Sequence, residues 1–309
     1  IKDKNNLFKL KPKLKGKYYI KQIQNILDGD FSNNYLVPIV NAKNILHVGL
    51  PDYLEDDETI LSNSLQESDL NDISKDTDII ITMLPNGEIV EQVLDSIMDN
   101  LKPGTLITDC STIDVDKAKI LHKKCEDRKL LSLDAPVSGG VGGAESGTLT
   151  FMVGGTEDAY EIMLPLFEVM GKKSLLCGSY GTGQATKACN NMLLATTMIG
   201  VGEAFNLGKN LGLNPQKLFE ILSTSTGSCW AINNYCPIKG VGPESPADNN
   251  FEPGFSASLM FKDLSIALKA IQSTNTSAPF GTKAQENFGN MVNQKKGDLD
   301  FSAITKFNE

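Results

Sequence analysis

Histidine is nearly absent from this 309-residue chain, which has only His47 and His122, and tryptophan occurs once. Basic residues are the minority, 29 Lys+Arg against 38 Asp+Glu, for a formal net charge of -9. That balance argues against a nucleic-acid binder, because neutralising phosphates needs clustered positive charge. An anionic small molecule can still be held locally. The longest mostly apolar run, residues 192–202, falls far short of the ~20 residues a membrane span requires. The six cysteines (Cys110, Cys125, Cys177, Cys189, Cys229 and Cys236) include no C-x-x-C pair and no histidine at ligand spacing. Reduced, mostly structural thiols are therefore expected, and a structural zinc is not. Acid–base chemistry has little histidine to draw on. His122 stands in KILHKKCEDRK among charges, which reads as a solvated face, and His47 lies in a leader without a readable pattern.

Charge is unevenly spread. Lys2, Lys4, Lys9, Lys11, Lys13, Lys15, Lys17 and Lys21 crowd the start against Asp3, whereas residues 52–78 are strongly acidic. A basic, acid-poor opening reads either as the tail of an organelle transit peptide, although such peptides favour Arg and this one has none, or as a solvated arm.

From Thr77 the pattern becomes periodic. TDIIITMLPNG is a buried strand ending in a turn, and EIVEQVLDSIMDNL follows as a helix. LKPGTLITDCST is a turn and a strand, DVDKAKILHKKCEDRK a helix capped by Asp114, and KLLSLDAPVSGG a further strand. Strands alternating with helices at this spacing imply parallel βαβ units, with ligands bound beyond the carboxyl ends of the strands. After Gly181 the chain reads as long helices with little strand signal. The expectation is an α/β Rossmann-like parallel-sheet domain over residues 1–177, its first βαβ unit atypical or missing, followed by an all-α domain over 178–309. Residues 228–255 form a Pro/Gly/Asn-rich connection too long for a plain turn, and such loops tend to be functional or disordered.

Three places carry candidate chemistry. In GTGQATKACNN, residues 181–191, Lys187 and Asn191 lie at i and i+4 on a helix and project from one face. An amine and a carboxamide in an apolar setting can bind a hydroxyl or carbonyl oxygen from two directions. Desolvation penalises an ammonium, which brings a buried lysine towards acid–base exchange near neutrality. A solvated first-turn lysine with Asn191 as helix-end decoration is the alternative. In DAPVSGGVGGAESGTLTFMVGG, residues 134–155, the amides of Gly139 and Gly140 beside the Ser138 hydroxyl form a donor cluster suited to a carboxylate. A flexible turn between two strands is the alternative there. In SLMFKDLSIAL a helix carries Lys262 and Asp263 between apolar neighbours, either as site residues or as a surface ion pair.

Taken in order, DAPVSGGVGGAESGTLTFMVGG, GTGQATKACNNMLLA, GSCWAINNYCP and SLMFKDL resemble the 3-hydroxyisobutyrate dehydrogenases, a branch of the β-hydroxyacid dehydrogenase family related to 6-phosphogluconate dehydrogenase. The resemblance spans residues 70–307. It implies NAD as cofactor, oxidation of a small hydroxyacid in valine breakdown, a mitochondrial setting in eukaryotes and pairing of subunits into a homo-oligomer. By motif position it implies Lys187 as the catalytic lysine, Asn191 as a substrate-orienting residue, and Ser138, Gly139 and Gly140 as the carboxylate clamp. Leu84 and Pro85 of MLPN and Thr112 of CST would line the cofactor, and Lys262 would approach its nicotinamide end. Glyoxylate or succinate-semialdehyde reductases of the same family share these motifs, but the extended loop before Phe255 favours the hydroxyisobutyrate branch.

The N-terminal segment departs from the resemblance. Such proteins open on a strand and G-x-G-x-x-G roughly sixty residues before the position of Leu84, a placement consistent with a first βαβ unit of ~30 residues. Here that neighbourhood reads KQIQNILDGD, with Gly29 alone. The nearest echo, ILHVGLPDYL at residues 45–54, has Gly49 but puts Pro51 and Leu54 where the later glycines would stand. Pyrophosphate binding is then either impaired or rebuilt, no residue is assigned to it, and a catalytically silent relative is the competing expectation.

Overall fold

Short apolar strands, buried along nearly their whole length, carry the core of the N-terminal half. The computed structural model describes Ile45–Gly49 and residues 77–307. The lysine-rich opening, KQIQNILDGD, Pro51 and Leu54 lie outside the described residues. Four parallel strands stand in chain order: β1 (Ile45–Gly49), β2 (Ile79–Met83), β3 (Leu106–Asp109) and β4 (Leu131–Asp134). Helix α1 (Gly87–Ile97) follows β2 and α2 (Val115–Asp127) follows β3, giving the expected βαβ alternation. The ILHVG stretch is a strand in register with β2, Gly49 opposite Met83, so the echo of a nucleotide-fold first strand takes the place beside β2.

Past β4 the sheet changes direction. β5 (Val137–Ser138) and β6 (Leu149–Gly155) are joined through the short helix α3 (Gly140–Glu145) and pair antiparallel, and β6 also runs antiparallel to β4. Parallel pairing needs a crossover of about a dozen residues or more, and the connection from Ser138 to Leu149 is too short to supply one. Helix α4 (Glu157–Met170) then returns the chain to β7 (Gly171–Gly178), parallel to β6.

Successive strand residues point to opposite faces, and each face has its own core. Ile79, Ile81, Leu106, Leu133, Phe151 and Val153 pack with Met163, Phe167 and Met170 of α4. Ile80 and Ile107 pack with Val90, Leu94 and Ile97 of α1 and Leu121 and Cys125 of α2. Each of these fully buried side chains contributes about 1.5–3 kcal/mol relative to exposure, so the two-faced burial pattern is what holds the helices on the sheet.

By its internal contacts the chain divides into two compact units, the sequence passing from one to the other at Lys187 and Ala188. That point lies inside the 29-residue helix α5 (Thr182–Asn210). The C-terminal unit is helical among the described residues: α6 (Pro215–Leu222), α7 (Trp230–Tyr235), α8 (Ala257–Ser273) and α9 (Pro279–Asn293), with a 3₁₀ turn at Phe301–Lys306. Its core joins Met198 and Phe205 of α5 to Met260, Phe288, Phe301 and Ile304. The long connection before α8 is ordered by specific bonds. The Asp300 carboxylate accepts from Tyr235 Oη, Gly254 N and Phe255 N, and a capping box at Ser245 and Asp248 closes the 3₁₀ turn Pro246–Asn249. No described helix is long and apolar enough to cross a membrane.

Candidate active site

The carboxyl ends of β2, β3 and β4 lie level, with Thr82 opposite Asp109 and Asp109 opposite Asp134. From the last of these ends the chain continues as Ala135, Pro136, Val137 and the S-G-G bend. The start of α5 is fastened to the same place. Asp134 is 2% exposed, and its carboxylate accepts from Gly181 N (2.8 Å) and Gln184 N (2.9 Å), two otherwise orphaned amides at the helix start. The contact is close enough to demand glycine. A Cβ on Gly183 would lie 2.4 Å from the Met152 carbonyl oxygen and 2.5 Å from that of Asp134, and one on Gly154 would lie 2.5 Å from the Asp134 carboxylate. Gln184 also reaches the loop after β3, its Nε2 donating to Ser111 O (2.7 Å) and its Oε1 accepting from Ile113 N (3.0 Å).

One turn further along α5, Lys187 is 8% exposed, and its Nζ donates to the carbonyl of Val137 at 2.7 Å. The amine therefore sits at the residue preceding Ser138, on the S-G-G bend. Gly139 (φ +139) and Gly140 (φ +61) both adopt positive φ and are exposed, while Ser138 is half-buried. The bend is not a loose turn, since Ser138 pairs with Thr150 in the sheet and Gly140 opens α3.

His122 corrects the expectation of a solvated face. It is 5% exposed, its Nε2–H donates to Asp134 Oδ1 (3.1 Å), its Nδ1 bonds Ser132 Oγ, and its ring stacks on Tyr180 at 4.0 Å between centroids. The charged neighbours that suggested exposure lie on the other side of α2, where Lys123 pairs with Glu126 and Asp127. Sequence reasoning missed Asp134 and Gln184 as well. The available signal was the G-T-G-Q string, in which glycines flank a helix start and mark a close backbone approach.

At the neighbouring strand ends, buried Leu84 donates its N–H to Ser111 Oγ (2.8 Å), and Pro85 and Thr112 are half-buried on the following loops. Asp109 accepts from Thr82 Oγ1 (2.8 Å) and Ser111 N (3.1 Å) through Oδ1, while Oδ2 has no partner. Burial pushes its carboxyl up to about 6 against these hydrogen bonds.

Asn191 and Lys262 belong to the C-terminal unit. Asn191 donates from Nδ2 to Asp263 Oδ2 (2.6 Å) and accepts from Asn190 Nδ2 (2.9 Å). Asp263 is 3% exposed, so the Lys262–Asp263 pair, at 3.8 Å, is not a surface ion pair: its acid is a buried support for Asn191, four residues after Lys187 on α5.

Two family models tile this architecture. Residues 56–180 match the NAD binding domain of 6-phosphogluconate dehydrogenase, and residues 181–308 match the NAD-binding of NADP-dependent 3-hydroxyisobutyrate dehydrogenase. A probable 3-hydroxyisobutyrate dehydrogenase of Mycobacterium bovis is 45% identical over 229 residues, 74% of this chain and 78% of that protein. The mitochondrial 3-hydroxyisobutyrate dehydrogenase of Mus musculus is 40% identical over 275 residues, 86% of this chain and 82% of that protein. The chain belongs to the 3-hydroxyisobutyrate dehydrogenase family. The solved structure of Mycobacterium tuberculosis 3-hydroxyisobutyrate dehydrogenase with L-serine superposes with a TM-score of 0.75 at 44% identity, covering 77% of this chain and 82% of that one.

Membership makes this 3-hydroxyisobutyrate dehydrogenase relative an NAD-dependent hydroxyacid oxidoreductase, and the strand-end loops fit part of a nicotinamide dinucleotide. The helices that open there are already capped, Asn86 accepting from Ile89 N and Asp114 from Asp116 N and Lys117 N. Capped, and acidic at Asp114, they are poor seats for phosphate. Leu84, Pro85 and Thr112 form an apolar, hydroxyl-bearing edge on these loops. The pyrophosphate in this fold belongs to the turn after the first strand, and the residues following Gly49 lie outside the described ones.

Proposed function

We propose that the chain oxidises 3-hydroxyisobutyrate to methylmalonate semialdehyde with NAD, in valine breakdown, with Lys187 as the acid–base residue. The observation that carries the reading is the buried Lys187 amine seated on the Val137 carbonyl, next to the S-G-G bend. The hydroxyl of Ser138 and the amides of Gly139 and Gly140 hold the substrate carboxylate, which brings the hydroxyl end of the short acid to Nζ. Val137 O engages one N–H of the amine and so fixes the nitrogen beside the bend. A bound nicotinamide supplies the acceptor for the hydride leaving carbon. The hydroxyl proton passes to Lys187 Nζ as the C–O bond becomes a carbonyl, and Nζ returns it in the reverse direction. Asn191, held by Asp263, orients the reacting oxygen, with Leu84, Pro85, Thr112 and Lys262 as cofactor contacts.

Named relatives from mouse and human are mitochondrial and others are bacterial. The mitochondrial relatives support the mitochondrial matrix as the compartment here. Exposed Leu193 and Leu207 on α5, with Leu211 just past its end, support a second copy of the chain as the partner of the helical unit.

The test is NAD reduction with 3-hydroxyisobutyrate by the wild type and by Lys187→Ala. A folded Lys187→Ala should lose turnover by at least about 10³-fold, the scale of one general acid–base group together with its positioning. NAD affinity, read by calorimetry, should hold. Full turnover in that variant removes lysine from the mechanism, and absence of NAD binding by the wild type at millimolar cofactor identifies a silent relative.

A further inference from the structure

Asp134 carries no chemistry in the mechanism above, yet it is the most heavily engaged carboxylate near Lys187. Three donors converge on it: Gly181 N, Gln184 N and His122 Nε2. Three residues along the same segment, Val137 receives Lys187 Nζ, and Lys187 stands three residues after Gln184 on α5. The segment 134–137 and the first turns of α5 are thus joined by two rungs. The first, Asp134 to Gly181 and Gln184, sets where the helix begins and how it is rotated. The second, Val137 to Lys187, places the amine. A helix advances 1.5 Å and 100° per residue, so any slip at the first rung is carried directly into the position of Nζ.

We infer that Asp134 is a positioning residue for Lys187, its carboxylate locking the start of α5 so that the amine meets the S-G-G bend. This rests on the reading of Lys187 as the acid–base residue. His122 supports the lock from behind. Ser132, His122 and Asp134 lie in line as in a hydrolytic relay, but Ser132 is 7% exposed and His122 5%, both enclosed where no substrate reaches. Their order serves instead to hold the carboxylate in the orientation that meets both helix amides. Gly154 and Gly183 complete the device, since a side chain at either would displace the carboxylate or the helix. The substrate clamp is held separately, by the pairing of Ser138 with Thr150.

That separation makes the inference testable through the split between kcat and KM. The full chain is assayed as wild type, Asp134→Asn, Asp134→Ala, His122→Gln and Lys187→Ala, each with its melting temperature and NAD affinity. Misplacing a reacting group by about 1 Å costs on the order of 10²-fold in rate, so Asp134→Ala should lose about that factor in kcat. Asp134→Asn keeps one acceptor oxygen and should lose about tenfold, and His122→Gln, which leaves the carboxylate in place, about threefold. KM for the hydroxyacid and Kd for NAD should stay within about threefold in all of them, because neither clamp is touched. Wild-type kcat in a folded Asp134→Ala, with Lys187→Ala inactive, overturns the positioning role and leaves the lysine reading standing. Turnover by Lys187→Ala would instead remove the reading beneath it. Parallel loss of kcat, KM and NAD affinity, or failure of both Asp134 variants to fold, marks Asp134 as a fold residue only and overturns the inference.

Discussion

Asp109 and Asp134 close adjacent parallel strands and face each other in register, yet the chain treats the two carboxylates oppositely. At the end of β4, both oxygens of Asp134 are engaged, by amides of α5 and the ring of His122. At the end of β3, all the donors to Asp109 converge on Oδ1, and Oδ2 is buried without a partner. What differs is the supply of donors: where it falls short, desolvation outweighs the hydrogen bonds, and Asp109 rises to about 6. The fully engaged acid holds the helix that carries Lys187, while the under-engaged one lies under the loop that bears Thr112.

The comparison is broken most severely by forcing the β4 end apart. In Gly183→Ala the new Cβ meets two backbone carbonyl oxygens at 2.4 and 2.5 Å, and neither can swing aside as a side chain could. Overpacking of this kind costs about 3 kcal/mol. The same substitution at Gly200, further along α5 and with nothing within 4 Å, should stabilise by about 0.5–1 kcal/mol through helix propensity. Urea unfolding of the two variants side by side gives the answer. Equal effects would mean that the start of α5 is not pressed against Asp134.

The β3 end should respond to pH rather than to packing. The folded pKa of Asp109, about 6, lies above the ordinary aspartate value of 3.8, so the native state holds this proton more tightly than the unfolded chain does. Its contribution is fully present below pH 3.8 and is lost as pH rises through about 6. Above that, the buried charge costs about 3 kcal/mol, since a tenfold difference in proton affinity between the folded and unfolded chains is worth about 1.4 kcal/mol. Asp109→Asn keeps an acceptor oxygen for Thr82 and Ser111 and cannot ionise. Relative to wild type it should gain stability between pH 4 and about pH 6 and level off above that. A difference that stays constant over that range would show that Asp109 titrates as an ordinary carboxylate.

The strands, the helix capped by Asp114 and the all-helical second half were legible because their signals are local: short apolar runs, turn residues and caps. Lys187 and the S-G-G bend stood out because an amine and adjacent glycines are conspicuous in apolar text. The roles of Asp134, Gln184 and His122 were not legible, since each depends on a partner far along the chain. His122 meets Ser132 and Asp134 across α2 and β4, and Gln184 meets Ser111 and Asp134 from a separate helix. Sequence spacing also gave no warning that the short S-G-G connection turns the sheet antiparallel. The strand at residues 45–49 looked like a failed nucleotide motif because its glycine pattern breaks off after Gly49, although pairing with β2 needs only its extended backbone.

The smallest effect tests whether donor supply is what separates the two acids. Thr82 Oγ1 donates to Asp109 Oδ1 from within the sheet, and Thr82→Val removes that donor with little change of shape. A hydrogen bond to an ionised acceptor is worth about 1.5 kcal/mol or somewhat more, and a neutral one roughly half as much. The loss of stability should therefore be about 1.5 kcal/mol at pH 8, where Asp109 is charged, and about half that at pH 5, where it is protonated. The midpoint of the pH dependence should move upward from about 6, since Asp109 would be left with Ser111 alone as a donor residue and its charged form would be still less favoured. Equal losses at the two pH values would show that the hydroxyl does not favour the charged form of Asp109.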